Sequence, residues 1–139
     1  MSAPDDAMLA APQALAAFMA TLGDGYLAGL FADEVTIVEN FAPYIFRDAA
    51  LWRGGFRAHA AGLSELRCTF GTPQDFSRDG ARAFFVLPTT WTGRAQGRAF
   101  EEQGGWSFVL EQRGERWVIL GYAWAVTALR LLVDGEPLP

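Results

Sequence analysis

The chain contains no lysine, and its positive charges are few and dispersed. All 11 basic residues are arginines that occur singly, and they are outnumbered by 16 acidic residues, for a formal net charge of −5. Binding to nucleic acid needs a concentrated basic surface that releases counterions from the phosphates. Attraction to an anionic membrane depends on the same kind of cluster. The sequence therefore excludes nucleic acid as the main partner and argues against a membrane partner.

Cysteine and histidine occur once each. Cys68 cannot form an internal disulfide, which fits a reducing cytoplasm. Its alternation with Leu66 and Phe70 predicts a buried apolar residue rather than a nucleophile. Any metal site would have to consist mostly of carboxylates, and Glu101 and Glu102 point to opposite faces of their strand. We therefore expect no metal site.

Long hydrophobic runs and nucleotide-binding motifs are also lacking. No stretch approaches the length of a membrane span, and neither glycine-rich phosphate-binding pattern occurs. The N-terminal segment opens with Asp5 and Asp6 and is interrupted by Pro12, whereas a signal peptide needs a positive start and an unbroken apolar core. We expect a helix there instead, a cytoplasmic protein, and a function that needs no cofactor.

Apolar and aromatic residues are abundant. Hydrophobic residues make up 51% of the 139 residues and aromatics 14%, including 11 Phe and 5 Trp. A chain of this length and composition can bury one hydrophobic core without a second. The sequence predicts a single domain over residues 1–139, with its core at about 12–128.

The pattern of apolar residues predicts three helices followed by a sheet. The helices are expected at residues 12–22, 24–31 and 48–61, with Asp24 and Asp48 as N-caps of the second and third. The phrase FADEVTIVE then changes the period from 3.6 to 2, so a strand begins there. Four long strands are expected at 65–77, 81–94, 97–112 and 116–127, separated by the turn sequences SRDG, RAQG and QRGE. Gly104 and Gly105 predict a bulge or bend in the third of these.

Three local phrases carry a resemblance to a known family: LFADEVTIVENFAPYIFRD, GGWSFVLEQRGERWVI and GYAWAVT. With the order of elements, they resemble the nuclear transport factor 2 superfamily, including its SnoaL-like and ketosteroid-isomerase-like proteins, over residues 12–128. The resemblance implies an α+β, cone-shaped fold in which a curved mixed or antiparallel sheet wraps around three N-terminal helices. It also implies a hydrophobic cavity between sheet and helices and a homodimer formed through the sheet. This fold hosts isomerases, cyclases, dehydratases and binding modules.

Glu39 is the first candidate catalytic residue. It continues the face of Val35 and Ile37, and the resemblance places it where the isomerases carry the aspartate that removes a proton next to a ketone. A carboxylate walled by aromatics would have a raised pKa suited to moving protons. The alternative is a solvated strand end or an ion pair with an arginine such as Arg47.

His59, the second candidate, lies on the apolar stripe of the third helix. It is either a packed core histidine or the partner of Glu39 in an acid–base pair. The oxyanion hole of the isomerases does not carry over, because its tyrosine and aspartic acid positions fall at about Ala16 and Trp106. A steroid isomerase is therefore not expected.

Aromatic residues are expected to form the ligand pocket, although tryptophans also serve as core or dimer-interface residues. The predicted lining residues are Phe18, Tyr44, Trp52, Phe56, Trp91 and Trp106. The strands carry apolar residues on both faces, for example Phe84 and Val86 against Phe85 and Leu87, which predicts a covered outer face and hence a dimer.

Three functions remain open. The protein binds a small hydrophobic or aromatic molecule in its cone, or it is a cofactor-independent isomerase, cyclase or dehydratase with Glu39 as general base, or it is a structural dimerisation module with a filled interior. Each predicts a different interior. A catalyst needs Glu39 and His59 at one open pocket, a binding protein needs only the pocket, and a structural module needs none.

Overall fold

The computed structural model describes residues 2–24, 27–133 and 136–137. Over these residues the chain forms two α-helices and eight strands. The elements are α1 (Asp6–Ala20), β1 (Phe31–Val38), β2 (Ile45–Phe46), α2 (Ala49–His59), β3 (Leu63–Phe70), β4 (Gln74–Asp79), β5 (Arg82–Ala95), β6 (Arg98–Arg113), β7 (Arg116–Val133) and β8 (Glu136–Pro137).

Both α-helices begin at an aspartate that caps their free backbone N–H groups. The Asp5 carboxylate accepts a hydrogen bond from the Met8 backbone at 2.9 Å, so α1 begins six residues before the predicted start at Pro12. Pro12, expected in the first turn, lies inside the helix, because the N-cap upstream is the stronger signal for where a helix begins. The Asp48 carboxylate accepts from the Leu51 backbone at 2.9 Å, as predicted, and α2 continues into a single 3₁₀ turn at Ala60–Gly62.

The predicted helix at 24–31 is not formed in the part of this segment that is described. Residues 25 and 26 lie outside the described residues. Residues 28–30 form a turn, in which the Leu30 N–H donates to the Leu27 carbonyl at 3.1 Å, and β1 begins at Phe31. The described part of the chain thus places two α-helices, rather than three, against the sheet. A capping residue alone does not make a helix, because in a short segment the few hydrogen bonds formed do not offset the free-energy cost of helix nucleation.

The strands form one mixed sheet with the path β2-β1-β7-β6-β5-β3, in which β4 also pairs with β5 and β8 with β7. The pair β1–β7 is parallel, and the remaining pairs are antiparallel. The largest fully buried side chains include Trp52 of α2 and Met8 and Leu15 of α1, together with Trp106, Phe85 and Phe108 of the sheet. The α+β cone expected from the sequence is confirmed.

The first of the four expected long strands is interrupted. Residues 71–73 separate β3 from β4, with the Gly71 N–H donating to the Pro88 carbonyl at 2.7 Å. Pro73 has no N–H with which to continue a ladder, so the segment GTP ends one strand before the next begins. The other three strands lie near their predicted places, although β7 continues to Val133 rather than ending at 127.

The predicted bulge is present at Gly104. Across β6 and β7 the pairing moves from Gln103–Ala128 to Gly104–Val126, which leaves Thr127 as an extra residue on β7. An extra residue reverses which side chains face inward beyond it. This is why Trp124, before the bulge, and Leu129, after it, both line the interior cavity although their positions differ in parity.

Two further expectations concern single features. Cys68 is partly buried, and burial raises its pKa to about 12, so its thiol stays protonated at neutral pH. Within the described segments, every helix is too short or too polar to cross a lipid bilayer.

Candidate functional site

A cavity of about 240 Å³ lies between the helices and the sheet. Its walls come from α1, α2, β3, β5, β6, β7 and the loop after β1, and they are mostly apolar. The aromatic lining residues are Phe41, Phe56, Trp91, Phe100, Trp106 and Trp124. Three lining side chains can exchange protons: Glu39, His59 and Glu102. The interior is therefore open, and its ionisable groups stand out against an apolar background.

Glu39 is buried at the end of β1, with 4% of its surface exposed. The inward row predicted from the sequence continues through Val35 and Ile37 to this residue. The backbone N–H of Glu39 donates to the Tyr44 carbonyl at 2.8 Å, which holds the residue beyond the last strand position. Its carboxylate forms no ion pair with Arg47 or with any other described arginine.

Two neutral donors hold one oxygen of this carboxylate. The Tyr122 hydroxyl donates to Oε2 at 2.6 Å, and the Trp52 indole N–H donates to the same atom at 2.8 Å. The other oxygen, Oε1, has no hydrogen bond within the described chain, so its lone pairs are available to a molecule in the cavity. Because both donors are themselves buried, the carboxyl group is fixed in orientation.

Burial raises the pKa of Glu39 to about 7, and the charge of Glu102 adds to this rise, whereas the hydrogen bonds from Tyr122 and Trp52 oppose it. Desolvation penalises the charged form of a carboxyl group, which is why it dominates here. The same burial, followed by the charge of Glu39, raises the pKa of Tyr122 well above its usual value, so its hydroxyl remains a donor. At neutral pH the carboxyl group of Glu39 is therefore close to half ionised.

A second carboxyl group, that of Glu102 on β6, lines the same cavity. The Trp124 indole N–H donates to its Oε1 at 3.0 Å. Burial raises the pKa of Glu102, and the hydrogen bond from Trp124 opposes this effect. Its neighbour Glu101 lies on the opposite face of the strand, where it pairs with Arg130. The two glutamates thus have separate environments, as their alternation requires.

His59, at the end of α2, lines the cavity but remains partly exposed. Its ring stacks on Phe41, with centroids 4.6 Å apart and planes inclined by 15°. Desolvation by its surroundings lowers its pKa, so the imidazole is neutral at pH 7. It is therefore not the packed core histidine of the simpler interpretation.

The predicted lining residues divide into two groups. Phe56, Trp91 and Trp106 line the cavity, together with Glu39 and His59. Phe18 and Trp52 instead pack against each other in the core, with ring centroids 5.8 Å apart, and Tyr44 is 56% exposed. The helical stripe did place Trp52 inward, but its indole reaches the cavity only through its bond to Glu39.

Three residues of the site were not singled out from the sequence: Tyr122, Glu102 and Trp124. Tyr122 and Trp124 lie in the strand expected at 116–127, and the sequence predicted only that Glu101 and Glu102 point to opposite faces of theirs. The sequence shows which of these residues lie on the same face of a strand. It does not show which residues of a neighbouring strand they contact, because that depends on the register of pairing.

Trp106 contributes a hydrogen-bond donor without an acceptor. Its indole nitrogen is buried and has no partner among the residues described, although the side chain forms part of the cavity wall. Buried N–H groups are normally satisfied, and exceptions often mark a functional position. Groups of three or more potential metal ligands do not occur in the described chain, so these side chains offer no preformed metal site.

Comparison with known proteins shows the fold and no closer relationship. No protein-family model and no curated protein matches the chain. Among solved structures, a provisionally assigned scytalone dehydratase from Novosphingobium aromaticivorans has a TM-score of 0.76 at 8% identity, covering 96% of this chain and 90% of that one. A provisionally assigned ketosteroid isomerase from Shewanella frigidimarina has a TM-score of 0.68 at 19% identity, covering 87% and 96%.

A third similar structure has a different kind of name. The CaMKII hub from S. rosetta has a TM-score of 0.75 at 14% identity, covering 91% of this chain and 99% of the hub. Together these structures show that the chain shares their α+β fold. Identities this low carry the fold alone, because one fold hosts unrelated functions.

Proposed function

We propose that the protein is a cofactor-independent acid–base catalyst that removes a proton next to a carbonyl group of a small, mostly apolar molecule. Glu39 is the general base, in an isomerase, cyclase or dehydratase type of reaction. The observation that carries this proposal is the buried carboxyl group of Glu39 in the wall of an open apolar cavity, with Oε1 unoccupied. Binding a small hydrophobic or aromatic molecule is then the first step of turnover.

The environment of Glu39 suits a group that must both take and return a proton. A base works best when its pKa lies near the working pH, and that of Glu39 is about 7. The donors on Oε2 orient the carboxylate before the substrate arrives. Preorganisation of this kind avoids the reorganisation that a mobile carboxylate would undergo during reaction.

The proposed step needs no oxidant or reductant. Oε1 of Glu39 takes the proton as the C–H bond breaks, and the electron pair moves into the carbonyl to give an enolate. The indole N–H of Trp106, which lacks an acceptor in the described chain, donates to the enolate oxygen. The proton then returns from Glu39 to the same carbon, to the far carbon where the enolate is conjugated with a second double bond, or, in a dehydration, to a hydroxyl group that leaves the next carbon as water. His59, neutral at this pH, assists by relaying a proton.

Two further observations support the proposal over the other candidate functions. The similar solved structures include proteins named as a dehydratase and as an isomerase. An open cavity argues against a module whose interior is filled.

Hydrogen–deuterium exchange tests the proposal without knowledge of the natural substrate. Phenylacetone and 2-tetralone are incubated in D₂O with the protein, and loss of the proton signal next to the carbonyl is followed by NMR. We expect the wild-type protein to accelerate exchange of at least one ketone by about 100-fold over buffer. Glu39→Gln, which keeps the size and loses the basicity of the side chain, should return the rate to background.

The matched control is Glu101→Gln, which changes the same residue type on the outer face of the sheet. It should exchange as fast as the wild type. An unaccelerated rate for both ketones with the wild-type protein, or acceleration that persists in Glu39→Gln, would contradict the proposal.

We also propose that two copies of the chain associate through the outer face of the sheet. The outward residues of β5 and β6 include Phe84, Val86 and Val109, none of them charged. They are partly exposed or exposed, although they lie at the centre of the sheet. An apolar surface of this kind on a small protein is typical of an interface.

A further inference from the structure

The cavity has a second acidic group, Glu102, which the proton transfer at Glu39 does not use. Three tryptophans line the same cavity, Trp91, Trp106 and Trp124. We infer that this end of the cavity binds a positively charged nitrogen of the substrate, a protonated or quaternary amine, held between the Glu102 carboxylate and the indole faces. The inference rests on the proposed function in that it assigns a substrate class to the same cavity.

The strand register brings these four residues together. Trp91 on β5 lies directly opposite Glu102 on β6, and Trp106 lies four residues further along β6, on the same face. The Trp124 indole N–H donates to Glu102 Oε1 at 3.0 Å. The ring of Trp106 lies 6.2 Å from that of Trp91 and 5.9 Å from that of Trp124, measured between centroids.

Indole rings and a carboxylate attract the same type of ligand. The face of an indole carries negative charge from its π system, and tryptophan is the best aromatic partner for a cation. A carboxylate adds a full negative charge and accepts hydrogen bonds from an ammonium group. With Oε1 held by Trp124, the other oxygen of Glu102 has no hydrogen bond within the described chain and is the one that a cation would meet.

The protein supplies no positive charge of its own to this end of the cavity. The lining residues described include two carboxyl groups and a histidine that is neutral at pH 7, but no arginine. The arginine nearest in register, Arg130, pairs with Glu101 on the other face of the sheet. A carboxylate removed from water without a partner costs free energy. A cationic ligand offsets this cost.

Trp106, which lines the same cavity, has a buried N–H without a partner in the described chain. Together the three positions describe one substrate. An acidic C–H lies at Glu39, a carbonyl oxygen accepts from Trp106, and an amine lies at Glu102. This is a small amine that also carries a carbonyl group, with apolar or aromatic remaining parts.

Three probes of one skeleton test the charge preference: 2-phenylethylamine, 2-phenylethanol and phenylacetate. Their dissociation constants are measured by quenching of tryptophan fluorescence and by thermal shift, at about pH 7.5, where the amine is protonated. We expect the wild-type protein to bind the amine about tenfold more tightly than the alcohol, and phenylacetate most weakly.

Two variants assign the preference to Glu102. Glu102→Gln removes the charge and keeps an oxygen that can accept from Trp124, so its preference for the amine over the alcohol should fall severalfold. Glu101→Gln, the adjacent glutamate on the outer face, should retain the full preference. Trp91→Leu is a second variant that keeps Glu102 charged and should weaken binding of the amine severalfold more than that of the alcohol.

The outcomes separate this inference from the proposed function. If the wild-type protein binds the amine no better than the alcohol, binds none of the probes, or keeps its full preference in Glu102→Gln, the inference is wrong. Glu39-dependent exchange of ketones without an amine preference would overturn the inference alone. An amine preference reduced in Glu102→Gln, without ketone exchange, would support it and overturn the proposed base.

Discussion

The stability of the protein should depend on the ionisation of Glu39. Its pKa in the folded state is about 7, against 4.5 for an unhindered glutamate. The folded state therefore retains a proton that the unfolded state loses. The resulting stabilisation is fully present below about pH 4.5 and is lost as the pH rises to about 7.

We expect the free energy of unfolding of the wild-type protein to fall between pH 5 and pH 8, relative to Glu39→Gln, by on the order of 3 kcal/mol. Denaturant titrations at several pH values measure this difference. Subtracting the variant removes the contributions of other titrating groups, since Gln does not ionise. Parallel curves for the two proteins would mean that the carboxyl group is not desolvated in the folded state.

Tyr122 should set the pH at which Glu39 becomes a base. Its hydroxyl lowers the pKa of Glu39 by donating to Oε2 at 2.6 Å. Tyr122→Phe removes this bond, so the pKa rises and the ketone exchange rate should reach its half-maximum about one pH unit higher. The pH profile of exchange measures the shift.

Tyr44→Phe is the control for that experiment, because Tyr44 is exposed and its hydroxyl contacts neither oxygen of Glu39. Its profile should coincide with that of the wild type. If Tyr122→Phe also coincides with the wild type, the hydrogen bond does not govern the base.

Residue-level prediction succeeded where parity alone decides the outcome. The inward direction of Glu39 follows from Val35 and Ile37, because side chains alternate along a strand. The contact with Tyr122 could not be predicted in this way. It depends on the parallel pairing of β1 with β7, where Ile37 lies opposite Tyr122, and these strands are far apart in the chain.

At the scale of elements, the bulge in β7 opposite Gly104 is what allows the cavity to have its acidic end. A Cβ atom on Gly104 would lie 2.3 Å from the Ala125 carbonyl oxygen and 2.7 Å from the ring of Trp124. Because Gly104 has no side chain, the indole of Trp124 can lie close to it and reach Glu102. Gly105 has no such crowding, since the nearest atom to its added Cβ is 3.9 Å away on Val86.

Gly104→Ala should therefore destabilise the protein by about 2 kcal/mol and shift its tryptophan fluorescence, because the Ala125 backbone and the Trp124 ring must move. Gly105→Ala, one residue along the same strand, should change stability by less than about 1 kcal/mol. Thermal or denaturant unfolding of the two variants measures the contrast. Equal stabilities would contradict the close approach of the strands at this bulge.

Local chemical signals predicted the start of α2 and the turns that separate β4, β5, β6 and β7. Asp48 caps α2, and this role depends only on the residues next to it. The glycines of the three turns, Gly80, Gly97 and Gly114, all have positive φ angles that favour glycine. The break at 71–73 was missed because the flanking residues have strand character on both sides. The prediction of a helix at 24–31 was wrong in the described part of this segment. It relied on Asp24 as an N-cap, although the segment has too few residues to form stable helical turns.

For the whole molecule, the order of elements predicted a curved sheet with helices on one face, and the resemblance to a known family implied the α+β cone. The interior was harder to predict. Whether a cone is filled or open depends on how side chains such as Trp52 and Phe18 pack. These two pack against each other in the core and do not line the cavity. The volume left for a ligand is a consequence of three-dimensional packing.

The outer face of the sheet leads to the last prediction. Val109 is 36% exposed, and its neighbours in register, Phe84 on β5 and Gly121 on β7, are uncharged. We expect the protein to be a dimer of about 30 kDa, twice the 15.2 kDa of the chain. Val109→Arg places a charge in each copy at the centre of that surface, which opposes association.

Light scattering coupled to size exclusion should therefore give a dimer for the wild type and a monomer for Val109→Arg. Leu51→Arg is the matched control, because Leu51 is 69% exposed on α2, away from the sheet surface. It should remain dimeric, since substitutions at exposed positions outside an interface change little. A monomeric wild type, or a Val109→Arg variant that stays dimeric, would mean that the sheet does not form the interface and that its apolar residues face solvent.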